Sequence, residues 1–211
     1  MTQLAFRVVE IRPESYAAVP TLIFALEVEE KSGVAVHSLA LRTQVRIEPQ
    51  RREYGPRERE RLRELFGESA RWGDTLRSFS WSHLSVVWPG FTGRARFDLP
   101  MPVSYDFEVA AAKYLHALEG GGVPLRLLFS GTLFEGGPNG IQVGFVPWNL
   151  ETTCELPVEV WRKLMDEYFP NSGWLRLHRE TLDALMSFKA DRALSSFDEV
   201  IEQLLRESRD E

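Results

Sequence analysis

Alternation of apolar and polar residues with a period of two is the feature that most constrains how this chain folds. It runs through residues 4–11, 21–29 and 34–48, and turn-forming residues separate these segments. In the longest segment, Leu39, Leu41, Thr43, Val45 and Ile47 alternate with mostly polar residues. A strand with this pattern buries one face and exposes the other to water. The N-terminal part is therefore predicted to form an antiparallel β-sheet.

Further strands and one helix are predicted within the same region. The helix covers residues 56–66, because Pro56 suits a first helical turn and Gly67 ends the apolar stripe. The further strands are predicted at residues 79–88, 94–99, 123–134 and 141–146.

Residues 106–118 carry two conflicting signals. The run from Val109 to Leu118 is rich in alanine and has strong helix propensity. The glycines at 120–122 lead directly into the strand predicted at 123–134, which favours a β-hairpin. A strand is predicted here, with any helix expected to be short.

The pattern becomes helical near Leu156. Helices are predicted at residues 157–169, 180–194 and 196–206, and Ser196 with Glu199 forms a capping box for the last one. The expected fold is α+β. An antiparallel β-sandwich-like domain covers residues 1–150, with the helix at 56–66 inserted, and a helical C-terminal region covers 151–211 and packs on it.

Charge and composition exclude several classes of protein. The formal net charge is −6, and residues 151–211 hold 14 acidic and 8 basic residues, so this region accounts for all of it. A negative tail opposes contact with phosphates, which makes a nucleic-acid partner unlikely. The apolar stretches fall well short of the roughly 20 residues that cross a bilayer, and the first residues do not resemble a signal peptide. A cytoplasmic protein is expected.

The sequence carries no known catalytic, phosphate-binding, dinucleotide-binding or zinc-protease motif. Its four histidines are isolated from one another, and Cys154 is the only cysteine. Asp106 and Glu108 share a face of the strand predicted there, but such pairs are common on solvated sheets. No catalytic residue, metal ligand or cofactor is predicted, and the chain is expected not to be an enzyme. An enzyme with an unrecognised site stays an alternative.

One segment is a candidate partner-binding surface. Residues 66–93 contain three of the six tryptophans, and Trp and Arg are side chains that anchor protein interfaces. The alternative is that these rings fill the core of the sandwich. The candidate residues are Arg71, Trp72, Asp74, Trp81, His83 and Trp88.

The C-terminal tail suggests a different function. A short alternating piece at 174–178 followed by two helices resembles the ribbon-helix-helix arrangement of some DNA-binding regulators. Arg176 and His178 would then point at bases. The negative charge of the tail argues against this hypothesis, which is kept as the alternative.

The chain resembles an uncharacterised bacterial protein family, a domain of unknown function. The resemblance extends over nearly the whole chain, with two departures: Thr43 and Ser104 stand where that family often has cysteine. The matching stretches are Pro20-Thr-Leu-Ile-Phe24, Val36-His-Ser-Leu-Ala-Leu-Arg42, Arg46-Ile-Glu-Pro-Gln50, Leu65-Phe-Gly67, Arg71-Trp-Gly-Asp-Thr-Leu76, Pro89-Gly-Phe-Thr-Gly93, Tyr105-Asp-Phe-Glu-Val109, Phe129-Ser-Gly-Thr132 and Val160-Trp-Arg162.

The resemblance implies a genomic association with nickel–iron hydrogenase clusters and no established activity. Together with the candidate surface, it favours a non-catalytic accessory protein whose partner is another protein, in hydrogenase assembly or operation. The oligomeric state stays open.

Overall fold

The computed structural model describes residues 3–104, 109–137, 140–173 and 176–210. Within them the chain forms eight strands and six α-helices. The strands are β1 Leu4–Pro13, β2 Thr21–Glu30, β3 Val36–Ile47, β4 Phe79–Phe91, β5 Arg94–Pro102, β6 Gly122–Gly137, β7 Gly140–Phe145 and β8 Glu151–Pro157. The helices are α1 Pro56–Phe66, α2 Trp72–Thr75, α3 Ala110–Ala117, α4 Val158–Tyr168, α5 Arg179–Asp191 and α6 Phe197–Asp210.

The strands form two antiparallel sheets. The first has the order β1-β2-β5, and the second has the order β4-β3-β6-β7. The 16-residue strand β6 also pairs with β8, which lies along its first half while β7 lies along its second half. The α+β class with antiparallel sheets in the N-terminal part is confirmed.

The two sheets pack face to face around a common core. Phe6 of β1 stacks on Phe129 of β6 with ring centroids 4.3 Å apart, and Trp88 of β4 stacks on Phe97 of β5 at 4.8 Å. The alternating residues predicted on β2 and β3 are buried, including Thr43 at 2% exposure. Burying these apolar faces is the main stabilising term of such a fold.

Helix α1 has the predicted bounds, with Pro56 in its first turn. It ends at Gly67, whose φ of +75° suits glycine. Its buried Glu58 pairs with Arg52 at 2.7 Å and also accepts bonds from the backbone N–H groups of Gly55 and Glu119. A buried carboxylate is tolerated here because each of its oxygens has a donor.

The strand predicted at 106–118 is wrong for the described part of that range. Residues 110–117 form α3, as their helix propensity favours, whereas 106–108 lie outside the described residues. The chain then turns through a loop whose backbone two arginines hold. Arg52 donates to the carbonyls of Gly120 and Gly122, and Arg162 donates to those of residues 118 and 119. These long-range bonds replace the local hairpin that the glycines suggested.

The contacts divide the chain into two compact units, residues 1–173 and 174–211. Because β8 pairs with β6, residues 151–157 belong to the sheet, although the sequence analysis grouped them with the C-terminal helices. Helix α4 contacts β1, β2 and β8 within the same unit.

The second unit contains α5 and α6. The hydroxyl of Ser196 accepts the backbone N–H of Glu199 at 3.2 Å, as the predicted capping box requires, while the Glu199 carboxylate bonds to Ser195. Residues 176–178 form no strand, so the ribbon predicted at 174–178 is wrong in its described part.

Among the described helices, none is long and apolar enough to cross a membrane.

Candidate functional site

The six residues predicted as a partner-binding surface do not lie together. Trp88 is only 3% exposed and stacks on Phe97, so the prediction is wrong for this residue. Its ring points into the core because it follows the buried alternation of β4. Trp81 lies at a bulge, where the register with β3 shifts, and its half-buried ring packs against the core.

Trp72 of α2 is half-buried and belongs to a cluster of aromatic rings. Its ring meets Tyr54 edge to face at 5.3 Å and Phe66 at 6.3 Å. Its indole N–H donates to the carbonyl of Gly67 at 2.9 Å. These contacts give Trp72 a structural role, while its neighbours Arg71 and Asp74 are exposed.

His83 is exposed on β4, on the side of the five-stranded sheet that faces away from the core. We call this side, formed by β3, β4, β6 and β7, the outer face. The register of the strands determines which side chains are neighbours on this face. Arg42 lies between Ser85 and Ser130, and Ala40 lies between Val87 and Thr132.

Two shallow grooves cross the outer face. The larger has a volume of about 580 Å³ and the smaller about 360 Å³, and both are lined by Arg42, Ser85 and Ser130. Small side chains, those of Ala40, Ser85, Ser130 and Thr132, line part of the larger groove. At Gly131 a Cβ atom would lie 2.2 Å from the carbonyl oxygen of Ala40, so only glycine allows β6 to approach β3 this closely.

Large apolar side chains surround these grooves. Phe145 and Trp148 are 77% and 92% exposed, and Val87 is 71% exposed. Phe145 pairs with Thr132 and therefore shares the outer face, while Trp148 lines the smaller groove beside His83. An exposed apolar patch of this kind, with polar groups between its members, is typical of a surface that binds another molecule.

Most of this surface was not predicted from the sequence. The alternation of Ile141, Val143 and Phe145 is visible in the sequence, but it normally identifies the face that packs into the core. Here these three residues are exposed. Trp148 follows Pro147 in a turn. A large aromatic residue in a turn, outside any strand or helix, is the sequence signal that could have identified this part of the surface.

The described residues that could supply nucleophilic or metal chemistry are dispersed. Burial and the nearby Glu155 raise the pKa of the Cys154 thiol to about 12, which keeps it protonated at neutral pH. Burial and then the charge of Arg162 lower the pKa of His116, whose ring meets Trp161 edge to face at 4.8 Å. Within the described ranges, no three His, Cys, Asp or Glu side chains are grouped as metal ligands would be. The pair Asp106 and Glu108 lies outside them.

The arrangement on the outer face therefore suits recognition. Its hydroxyl groups and the Arg42 guanidinium can form hydrogen bonds along the grooves, and its exposed rings can anchor an apolar partner surface.

Comparison with solved structures found distant similarities. A late embryogenesis abundant (LEA) protein is 12% identical, with a TM-score of 0.34 over 74% of this chain and 71% of that chain. A β-glucosidase from Kluyveromyces marxianus is 6% identical, with a TM-score of 0.27 over 73% of this chain and 15% of that chain. β-Glucosidase 3B from Thermotoga neapolitana is 12% identical, with a TM-score of 0.27 over 74% and 17%.

Among curated proteins, none matches this chain. A family model matches all of residues 1–211, and its description is a family of unknown function, DUF6084. The full-length resemblance to a domain of unknown function that the sequence predicted is confirmed, and the chain belongs to the family DUF6084.

Proposed function

We propose that this chain is a non-catalytic, cytoplasmic accessory protein that binds a partner protein through the outer face. The observation that carries the proposal is the exposure of Trp148 and Phe145 beside the two grooves. Exposed rings of this size cost solubility, and the core of this fold is already filled by other side chains.

The composition of the outer face supports a protein partner. Phe and Trp contribute about 150–250 Å² each when buried, so these two rings alone supply several hundred Å² of interface. Arg42, Ser85 and Ser130 can form polar contacts between the apolar anchors. Protein–protein interfaces generally combine apolar anchors with such polar contacts.

We propose further that the partner belongs to the assembly or operation of a nickel–iron hydrogenase. This part rests on the sequence resemblance alone. It is compatible with the net charge of −6, which disfavours a nucleic-acid partner.

The test measures binding of the purified chain to the purified nickel–iron hydrogenase of the same organism by biolayer interferometry. Trp148→Ala and Phe145→Ser are each expected to weaken binding about tenfold or more, the scale of a residue that anchors an interface. Tyr16→Ala is the matched control, because Tyr16 is 99% exposed and lies in the segment between β1 and β2, away from the outer face.

Two results would overturn parts of the proposal. Wild-type binding by both variants would remove the outer face as the binding surface. Failure of the wild-type chain to bind the hydrogenase would remove the hydrogenase as the partner.

A further inference from the structure

We propose that β7 pairs edge to edge with β7 of a second copy of this chain, about a two-fold axis at Val143. The proposal goes beyond the binding of a partner protein. It uses the backbone edge of the sheet, and of the outer-face side chains it brings together those of β7, Ile141, Val143 and Phe145.

The hydrogen bonds of β6 define which backbone groups of β7 face the open edge. The N–H of Val146 donates to the carbonyl of Gly131 at 3.0 Å. In an antiparallel ladder the bonded pairs alternate, so Gln142 and Gly144 also direct their backbone groups at β6. The N–H and C=O groups of Ile141, Val143 and Phe145 therefore face outward.

The outward edge of β7 pairs with no strand within the described ranges. The sequence from Gly140 to Phe145 contains no charge, no proline and no bulge. The other edges are protected: β5 contains Pro100 and Pro102, and β8 carries Glu151 and Glu155. Strand β1 has a register shift after Val8 and carries charged residues, and β4 has a bulge and contains Pro89. Natural proteins use these devices to prevent unwanted strand pairing, and β7 has none of them.

The edge is complementary to itself. With the axis at Val143, Ile141 of one copy lies opposite Phe145 of the other, and Val143 lies opposite Val143. Each of these opposed pairs exchanges two backbone bonds, about six in all. Aromatic and branched aliphatic side chains are favourable neighbours across strands. The result is a single sheet in which the two outer faces are continuous.

The size of this contact sets the expected affinity. Six residues give about 20 Å of edge, and a sheet layer is about 10 Å thick, so each copy buries on the order of 200 Å². A stable dimer buries about 800 Å² per copy. The dimer is therefore expected to be concentration-dependent, with a dissociation constant in the micromolar range.

The test is sedimentation velocity of the full chain over a series of concentrations from about 1 to 200 μM. We expect a reversible monomer–dimer equilibrium. Val143→Pro removes an outward N–H without touching the ladder to β6, so the variant keeps its fold while its dimer weakens at least tenfold. Val143→Lys acts in the same way through charge repulsion. Val87→Lys, on β4 of the same sheet, is the matched control and is expected to dimerise as the wild type does.

The register is tested separately by cross-linking. In a background with Cys154→Ser, Val143→Cys is expected to form a disulfide dimer under mild oxidation, because directly opposed residues bring their Cα atoms to about 5.5 Å. Val87→Cys is expected to stay monomeric.

A wild-type chain that stays monomeric throughout the series overturns the proposal. So does a dimer that is unaffected by both substitutions at Val143, or one that is lost in Trp148→Ala instead, which would indicate packing between outer faces. Binding of the hydrogenase by the wild-type chain at concentrations where sedimentation shows only monomer separates this question from the proposed function.

Discussion

The two faces of the five-stranded sheet are formed by the same strands, but the apolar residues of one are buried and those of the other are exposed. On the inner face of β3, the residues Leu39, Leu41 and Val45 are at most 1% exposed. On the outer face, Val87 and Phe145 are more than 70% exposed. The inner residues are explained by packing, because they fill the space between the sheets. The outer apolar residues add nothing to that core, and their exposure is the observation on which the proposed partner binding rests.

The largest expected difference between the faces is in packing energy. Leu41→Ala should lower the free energy of unfolding by about 3 kcal/mol, since it leaves a cavity between the sheets. Val87→Ala on the outer face should change it by less than about 0.5 kcal/mol. Urea unfolding of both variants measures the two values. Equal losses would mean that the outer face is packed as tightly as the inner one.

Two tryptophans give the next comparison. Trp72→Ala should cost about 2 kcal/mol of stability, because it removes a half-buried ring and the bond from its indole N–H to Gly67. Trp148→Ala should leave the urea midpoint nearly unchanged, as expected for a 92% exposed side chain. The comparison fails if Trp148→Ala is the more destabilising change.

An effect no larger than that of Trp72→Ala is expected at the buried tyrosine pair. The hydroxyls of Tyr54 and Tyr114 lie 2.7 Å apart, and burial raises the pKa of Tyr114 to about 12. Because Tyr54 donates to the carbonyl of Pro49, Tyr114 must donate to Tyr54. Tyr54→Phe therefore leaves two buried groups without their bonds and should cost about 2 kcal/mol, whereas Tyr114→Phe should cost about 1 kcal/mol.

Thermal unfolding followed by circular dichroism measures this order. Tyr16→Phe, at a fully exposed tyrosine, is the control and should melt as the wild type does. A larger loss for Tyr114→Phe would contradict the assigned direction of the hydrogen bond.

The smallest effect is a dependence on pH through His116. Its pKa is lower in the folded chain than the value of 6.5 for a free side chain, because burial disfavours the charged form. The unfolded chain therefore binds a proton first as the pH falls, so stability is full above about pH 6.5 and decreases below it. His116→Gln should flatten this part of the profile between pH 7.5 and 5, measured by urea unfolding. The same substitution at His83, on the outer face, is the control, and an unchanged slope in His116→Gln would refute the assignment.

Local patterns predicted the regular elements well. The alternation in β2 and β3 and the Pro56 and Gly67 boundaries of α1 need only neighbouring residues, and both are confirmed. Helix α3 was predicted as a strand because the glycines at 120–122 suggested a hairpin. The loop that contains them is instead held by bonds from Arg52 and Arg162, which join residues more than 40 positions apart. Trp88 was misplaced for a related reason, since alternation fixes which residues share a face and leaves open which face is buried.

The candidate surface was the least predictable part. The aromatic residues after α1 were predicted as a surface because they are close in sequence, yet Trp72 and Trp81 pack against the core. The outer face gathers side chains from four strands that are distant in sequence, and its apolar residues have the same alternation as a core strand. Only their exposure distinguishes them.

We propose that the outer face is the surface through which this chain binds its partner protein. Hydroxyl-radical footprinting of the purified chain, alone and mixed with the nickel–iron hydrogenase, tests it most directly. We expect oxidation of Trp148 and Phe145 to fall severalfold in the mixture, while oxidation of the exposed Tyr16 does not change. Equal oxidation of Trp148 in both samples, with protection elsewhere on the chain, would show that the partner binds a surface other than the outer face.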